Sequence, residues 1–292
     1  MKKKRKIPVS KIFVYFILAG IGFVYLYPVL YMIVNSFLSA GDLTDPSVTW
    51  IPTELCFDNF STAFETLDFF KSFGMSMLMS LIPAVLQTAV TAVVAYGLAR
   101  FHIPFKKVIL VLILITFLLP TQVMLVPRYV LFDTYHLTDT IWAQFLPALF
   151  GQGLNSAIFI FVYYSYFVSY PVVLDEAAEI DGAGKWKIFL KVSLPMAKGA
   201  IILSMLFSFV FYWNETYLSN TLWGEKIQTL PLKLQSFTLQ YEALYGKEAA
   251  GSISESVSLA GTLLSILPLL VMYLIFQRQF VESIESTGIT GE

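Results

Sequence analysis

The sequence predicts an all-α, polytopic membrane protein with six transmembrane helices and both termini in the cytoplasm. Three observations carry that expectation. Of the 292 residues, 57% are hydrophobic and 13% charged, with a mean hydropathy of +0.71, far more apolar than a soluble domain of this length. The apolar residues come in continuous runs of the roughly 20 needed to cross a bilayer as helix, whereas barrel strands would alternate over about ten. Lys and Arg are also unevenly placed: 14 of the 19 fall on one set of connecting segments, which an excess of positive charge assigns to the cytoplasm.

Residues 1–11 form a basic cytoplasmic tail opening on MKKKRK. The first span, 12–37, is longer than the roughly 7–15 apolar residues of a secretory leader, so a retained helix is expected. With it, residues 12–72 include an extracytoplasmic loop bearing Asp42, Asp45, Glu54, Asp58, Glu65 and Asp68, which reads as a solvated loop with room for a short surface helix. The core transmembrane domain, 73–276, holds spans 73–99, 108–132, 141–168, 200–222 and 257–276.

Spans three and four carry Pro120, Pro127, Pro147, Gly151 and Gly153. Backbone groups freed by such residues are tolerated at membrane depth only where neighbours or water satisfy them, so these helices belong inside a bundle or beside a cavity. In the loop 223–256, Trp223, Phe237, Tyr241 and Tyr245 are suited to packing on the bundle, to an interfacial belt, or to a partner or sugar. Residues 277–292 are a cytoplasmic tail. No internal repeat is evident. The single Cys56 excludes an internal disulfide, and His102 and His136 lack metal-ligand spacing relative to it.

Between spans four and five lies a polar segment, 171–198, whose centre reads EAAEIDGAGKWKIFLKVSLP. Leu174, Ala177 and Ala178 fall at i, i+3 and i+4, which predicts a short helix with a small apolar stripe. Pro171 suits its start and Gly182 its end. A second helix from about Ala183 would align Trp186, Phe189, Leu190, Ser193 and Leu194, with Lys185, Lys187 and Lys191 off that stripe, until Pro195 stops or bends it. Helix, tight turn and helix make a plug suited to a cleft. The same hairpin would also suit lying on the bilayer with its lysines toward headgroups.

The pattern Glu176-Ala177-Ala178, Gly182, Val192 and Leu194-Pro195 resembles the EAA loop of the membrane subunits of ATP-binding-cassette importers, with Val192 for the usual Ile. The resemblance covers nearly the whole chain and narrows to sugar-importer permeases of the maltose-transporter type. It is carried further by Ala95-Tyr96-Gly97-Leu98-Ala99-Arg100-Phe101, Leu119-Pro120-Thr121-Gln122-Val123, Leu146-Pro147-Ala148-Leu149, Trp213-Asn214-Glu215, Thr229-Leu230-Pro231 and Gln277-Arg278-Gln279-Phe280-Val281. Two departures stand out. Tyr163-Tyr164 occupies the place of a frequent family Arg, and the tail Ser286 to Glu292 lacks the usual basic ending.

The resemblance implies a half-pore in a bacterial or archaeal cell membrane. Its partners would be a homologous second permease, two ATPase subunits and an extracytoplasmic sugar-binding protein. Glu176, Ala177, Ala178, Asp181, Gly182, Leu194 and Pro195 would be the residues that couple it to the ATPase. The chain has no G-x-x-x-x-G-K-[ST] phosphate loop, so no catalytic residue, metal or cofactor is expected on it, and ATP and magnesium belong to the ATPase subunits.

Aromatic faces and amides bind sugars, which makes Gln152, Asn155, Phe209, Tyr212, Trp213, Asn214 and Tyr217 candidates for the substrate path. The same residue types also glue helices and fill cores. Other solutes, such as a glycerol phosphate, a polyol or a peptide, fit the same frame. A secondary transporter or channel would instead need ionisable residues buried in the spans, and Glu215, at the outer end of span five, is nearly alone there.

Overall fold

In a computed structural model of the chain, residues 9–48, 50–247 and 254–288 are described, without the side chains of Val9, Ser10, Ile12 and 280–288. The basic run Lys2 to Lys6 and the last residues of the tail lie outside them. Every regular element among the described residues is helical. The chain divides into two compact units, Met1–Phe69 with Ser236–Leu267, and Phe70–Gln235 with Pro268–Glu292.

In the first unit, α1 (Val9–Asn35) is apolar all round and exposed on every side, with Phe16 and Tyr25 more than three-quarters accessible. Such a helix suits lipid rather than water. The acidic loop is more ordered than its charge suggested. It folds into α2 (Ala40–Thr44) and α3 (Asp58–Thr66), and Asp42 is buried. Its carboxylate accepts from Thr53 Oγ1 at 2.5 Å and from the Thr53 amide at 3.2 Å, while Ser39 Oγ accepts from the Asp42 amide and caps α2. Asn59 Nδ2 donates to the carbonyls of Ser36 and Leu38, holding α3 under the end of α1.

In the second unit, α4 (Phe69–Arg100) is a single 32-residue helix. Its buried stripe of Ser72, Ser76, Ser80, Ala84, Thr88, Ala92 and Ala95 is built from small residues that let neighbouring helices approach closely. Spans three, four and five are not the continuous helices that their apolar runs predicted. Span three is α5 (Lys106–Leu118) and α6 (Thr121–Thr134), bent by 98°. The turn falls at Leu119-Pro120, where the proline ring drives the preceding residue out of helical geometry, and Leu119 has ψ 122. Span four is α7 (Trp142–Leu149) and α8 (Ser156–Ser169), separated by irregular backbone at 150–155.

Beyond α8 the chain enters the polar segment as α9 (Val173–Ile180), α10 (Lys185–Ile188), a π-helical turn at Phe189–Ser193 and α11 (Leu194–Met196). Span five follows as α12 (Lys198–Asn214) and α13 (Tyr217–Trp223). The break after Asn214 is closed by Glu215, whose Oε1 accepts from the Leu218 amide at 2.6 Å and so satisfies an orphan donor of α13. The loop that follows is partly helical too. Trp223 is buried, and α14 (Leu230–Gln235) is anchored by its Leu230 amide donating to Ser76 Oγ. In the first unit, α15 (Phe237–Tyr245) presents the Tyr245 hydroxyl to Glu65. Residues 248–253 of this loop lie outside the described residues. The last helix, α16 (Glu255–Gly288), runs through Pro268 and well past the expected end at 276.

Residues 13–35 of α1, α4 and the 255–279 part of α16 are each long and apolar enough to cross a membrane, and three bent pairs, α5 with α6, α8 with α9, and the segment 185–196 with α12, reach that length when each pair is taken as one.

Candidate functional site

The polar hairpin and a cavity in the second unit are the two places where the sequence candidates gather. In the hairpin, the first arm ends at Gly182, whose φ of +78° only glycine adopts without strain. The Gly182 amide donates to the Glu179 carbonyl and the Ala183 amide to the Ala178 carbonyl, the paired bonds of a Schellman cap. Glu179 and Lys185 pair across the turn, and that hydrogen bond raises the lysine pKa. The pair is exposed and contributes little to holding the arms together.

The second arm is not one regular helix. Pro195 has no N–H to offer the Lys191 carbonyl, and the backbone widens into the π turn, with the Leu194 amide reaching back to the Phe189 carbonyl. Pro195 also precedes the 79° bend into α12.

Glu176, Ala177, Asp181, Gly182 and Pro195 are exposed, and Ala178 and Leu194 half-buried. The apolar side chains beside them are turned outward as well: Ile180 is 87% accessible and Trp186 66%. Facing inward instead are Asp175 on the first arm and Ile188, Phe189 and Ser193 on the second. Ile180, Trp186 and Ala177 are thus exposed on a hairpin that otherwise carries charged residues.

Four inward residues form a cluster that the sequence did not join. Arg100, the last residue of α4, places its guanidinium 3.8 Å from the centroid of the Tyr170 ring and donates from Nη2 to the Tyr170 carbonyl at 2.9 Å. Its Nε lies 3.1 Å from Asp175 Oδ2 as an ion pair, though not aligned for a hydrogen bond. The Tyr170 hydroxyl is 2.6 Å from both Asp175 Oδ1 and Ser193 Oγ. Having one proton, donated to the carboxylate, it must accept from Ser193. The sequence offered Arg100 only within the Ala95 to Phe101 stretch and Ser193 only on the second arm's stripe, and nothing in it joined them to Tyr170 and Asp175. The partnership of Arg100 with Tyr170 and Asp175 spans 70 residues or more of sequence.

The cavity, of about 660 Å³, lies among α5, α6, the 150–155 break, α8 and the end of α12. Gln152, Asn155 and Asn214 line it, and among the described residues Arg128 and Glu215 are its charged side chains. The volume falls within the range of small-molecule sites, roughly 300–1,000 Å³. The aromatic candidates behave differently. Phe209 and Trp213 are buried in helix packing, with ring centroids 5.7 Å apart and Trp213 edge-on to Phe73, and neither reaches the cavity. Tyr217 is exposed and does not line it either.

Tyr212 lies in a buried hydrogen-bond network. Its hydroxyl donates to Gln87 Oε1 at 2.6 Å and accepts from the Leu154 amide at 3.2 Å, while Gln87 Nε2 donates to the Leu154 carbonyl and to Ser208 Oγ. These bonds satisfy the backbone that the break in span four left open. Gln87, fully buried on α4, was missed by the sequence reading because one amide in an apolar run does not disclose its partners. Among the described residues no cluster of three or more His, Cys, Asp or Glu is arranged to hold a metal ion.

Residues 91–284 match the family model described as binding-protein-dependent transport system inner membrane component. The chain is 29% identical over 266 residues to the probable ABC transporter permease protein YurM of Bacillus subtilis, covering 91% of this chain and 84% of that one. It is 27% identical over 282 residues to the arabinooligosaccharides transport system permease protein AraQ of Halalkalibacterium halodurans, covering 94% of each. Identity to the lactose transport system permease protein LacG of Rhizobium radiobacter is 26%, with 96% of each covered. Among solved structures, a chain of a bacterial ABC transporter involved in the import of the acidic polysaccharide alginate superposes with a TM-score of 0.77, covering 94% of this chain and 99% of that one. At 24% identity this last likeness speaks to the fold alone.

Proposed function

The chain belongs to the family of binding-protein-dependent transport system inner membrane components, and from that premise we propose that it is one permease subunit of an ATP-driven sugar or oligosaccharide importer. The observation that carries the reading is the exposed hairpin: a capped helix, a glycine turn and a second arm presenting Ile180 and Trp186 to solvent between two membrane-spanning segments. A cleft on an ATPase subunit would bury those side chains, and Glu176 would accept charge-assisted hydrogen bonds there.

On this reading the chain forms half of a pore with a homologous permease, and two ATPase subunits dock from the cytoplasm, where both termini also lie. A binding protein delivers the solute from outside. Closure of the ATPase dimer on ATP drives the hairpin, and the pore alternates between outward-facing and inward-facing states. ATP and magnesium act on the ATPase subunits, and this chain performs no chemistry of its own. The host is a bacterium or archaeon.

Sugar is the favoured solute on two grounds. Relatives over nearly the full length are named for arabinooligosaccharide and lactose transport, and the cavity offers the amides of Gln152, Asn155 and Asn214 to hydroxyls. Uptake of labelled lactose, an arabino-oligosaccharide and glycerol phosphate by proteoliposomes holding the complete complex separates the solute classes.

The docking role is tested with Glu176→Lys and Gly182→Pro. Proline cannot adopt the φ of +78° at the turn. Each variant should reach the membrane yet lose at least about tenfold of the binding-protein-stimulated ATP hydrolysis of the assembled complex. Unchanged stimulation in both variants would sink the docking role.

A further inference from the structure

We infer that Arg100, Tyr170, Asp175 and Ser193 are the joint that makes both arms of the hairpin move as one body with the inner end of α4. The inference rests on the docking role proposed above. The hairpin joins its neighbours through two corners, 73° between α8 and α9 and 79° between the second arm and α12. Each corner is a connection of a few residues, the kind of place that absorbs backbone rotation as a hinge. A push at the hairpin would dissipate in these corners unless both arms were tied to a rigid element.

Arg100 supplies that tie from the last turn of a 32-residue helix. Through its ion pair it holds Asp175 on the first arm, and through its bond to the Tyr170 carbonyl it holds the corner itself. From there the Tyr170 hydroxyl carries the connection to Ser193 on the second arm. The four groups thus bridge α4, the first corner and both arms in one hydrogen-bonded cluster, and the side chains of Arg100 and Asp175 are about nine-tenths buried.

Burial makes the cluster stiff. A charge inside it that lost its partner would be left desolvated, so partial opening is disfavoured relative to moving together. Apolar packing follows the same route. The ring of Tyr96 on α4 lies 4.9 Å from Phe189 in the π turn and 5.5 Å from Phe167 on α8. These residues are positioning residues for the power stroke, separate from the exposed ones that would meet the ATPase.

The experiment uses the complex isolated with its own ATPase in lipid nanodiscs, with Cys56→Ser and spin labels at His102→Cys and Lys187→Cys, both exposed positions. The distance between the labels is measured without nucleotide and after trapping with ATP and vanadate. With Arg100 present it should change by no more than about 2 Å, the scale of a rigid helix adjustment. Arg100→Gln should shift or broaden that distance clearly beyond this on trapping, while the ATPase still co-purifies. If Arg100→Gln does not accumulate, Tyr170→Phe removes one hydroxyl and is held to the same criterion.

A distance that stays fixed in the variant, or that already changes in the labelled parent, overturns the joint. The docking reading fails on a separate readout: unchanged binding-protein-stimulated ATP hydrolysis in both Glu176→Lys and Gly182→Pro, which leave the joint residues in place.

Discussion

Tyr212 of α12 and Gln87 of α4 meet over Gly153, and all three serve the same few peptide groups. Leu154 has left helical pairing, so its amide and carbonyl need partners from outside the helix. The tyrosine hydroxyl accepts from the one and the glutamine amide donates to the other. Gly153 makes the approach possible, since a Cβ there would collide with Gln87 Oε1 and the Tyr212 hydroxyl. Gly153→Ala should therefore break the cluster and overpack the site, lowering stability by about 1–3 kcal/mol. A purified variant in detergent with an unchanged unfolding midpoint would contradict this. Asp42 allows a prediction of a different kind. Its hydrogen bonds from Thr53 hold the carboxyl below its ordinary value near 3.8. A depressed folded-state pKa means that the contribution is fully present above the ordinary value and is lost as pH falls through the folded one. Hydrogen exchange at the Thr53 amide should accelerate, relative to the intrinsic rate, once pH drops below about 4, and Asp42→Asn should remove that dependence.

At the scale of elements, the hairpin was the most legible part of the chain. Its apolar positions repeat with helical period, and Gly182 marks a C-terminus that only a residue tolerant of positive φ can make, so sequence and structure agree on α9 nearly to the residue. This is also why Gly182→Pro is the sharp variant at this scale: it removes the turn while leaving each arm its own sequence. The breaks in spans three and four were legible as loosened places, because proline and glycine announce lost hydrogen bonds. The 98° angle at Leu119-Pro120 was not, since a proline forbids helix for its predecessor without choosing the new direction. The break after Asn214 had no warning of that kind. Glu215 stabilises it through the amide of Leu218, and a lone carboxylate in an apolar run reads equally well as exposed or functional. The joint at Arg100 escaped for a related reason. Hydrogen bonds and ion pairs across 70 residues or more depend on which helices become neighbours, and no local pattern carries that.

At the scale of the whole molecule, membership of the transport family turns the cavity from a void into a candidate path. Apolar side chains are exposed along α1 and α5, and α5 covers only partly even the residues that pack on the core, Ile109, Leu110 and Ile113, which suits helices that finish their packing against lipid or a second permease. The cavity, by contrast, collects amides, an arginine and a glutamate between α6 and α12. If solute passes here, bulk introduced on its wall should stop transport without disturbing the cytoplasmic end. Val210 and Asn214 lie one helical turn apart on α12 and both line the space. Replacing both with tryptophan should reduce sugar uptake by the complete complex at least about tenfold, while co-purification of the ATPase and its basal hydrolysis remain within about twofold of the parent, since neither residue touches the hairpin. Uptake that persists in the doubly substituted protein would place the path elsewhere, with the partner permease then the side that contacts the sugar.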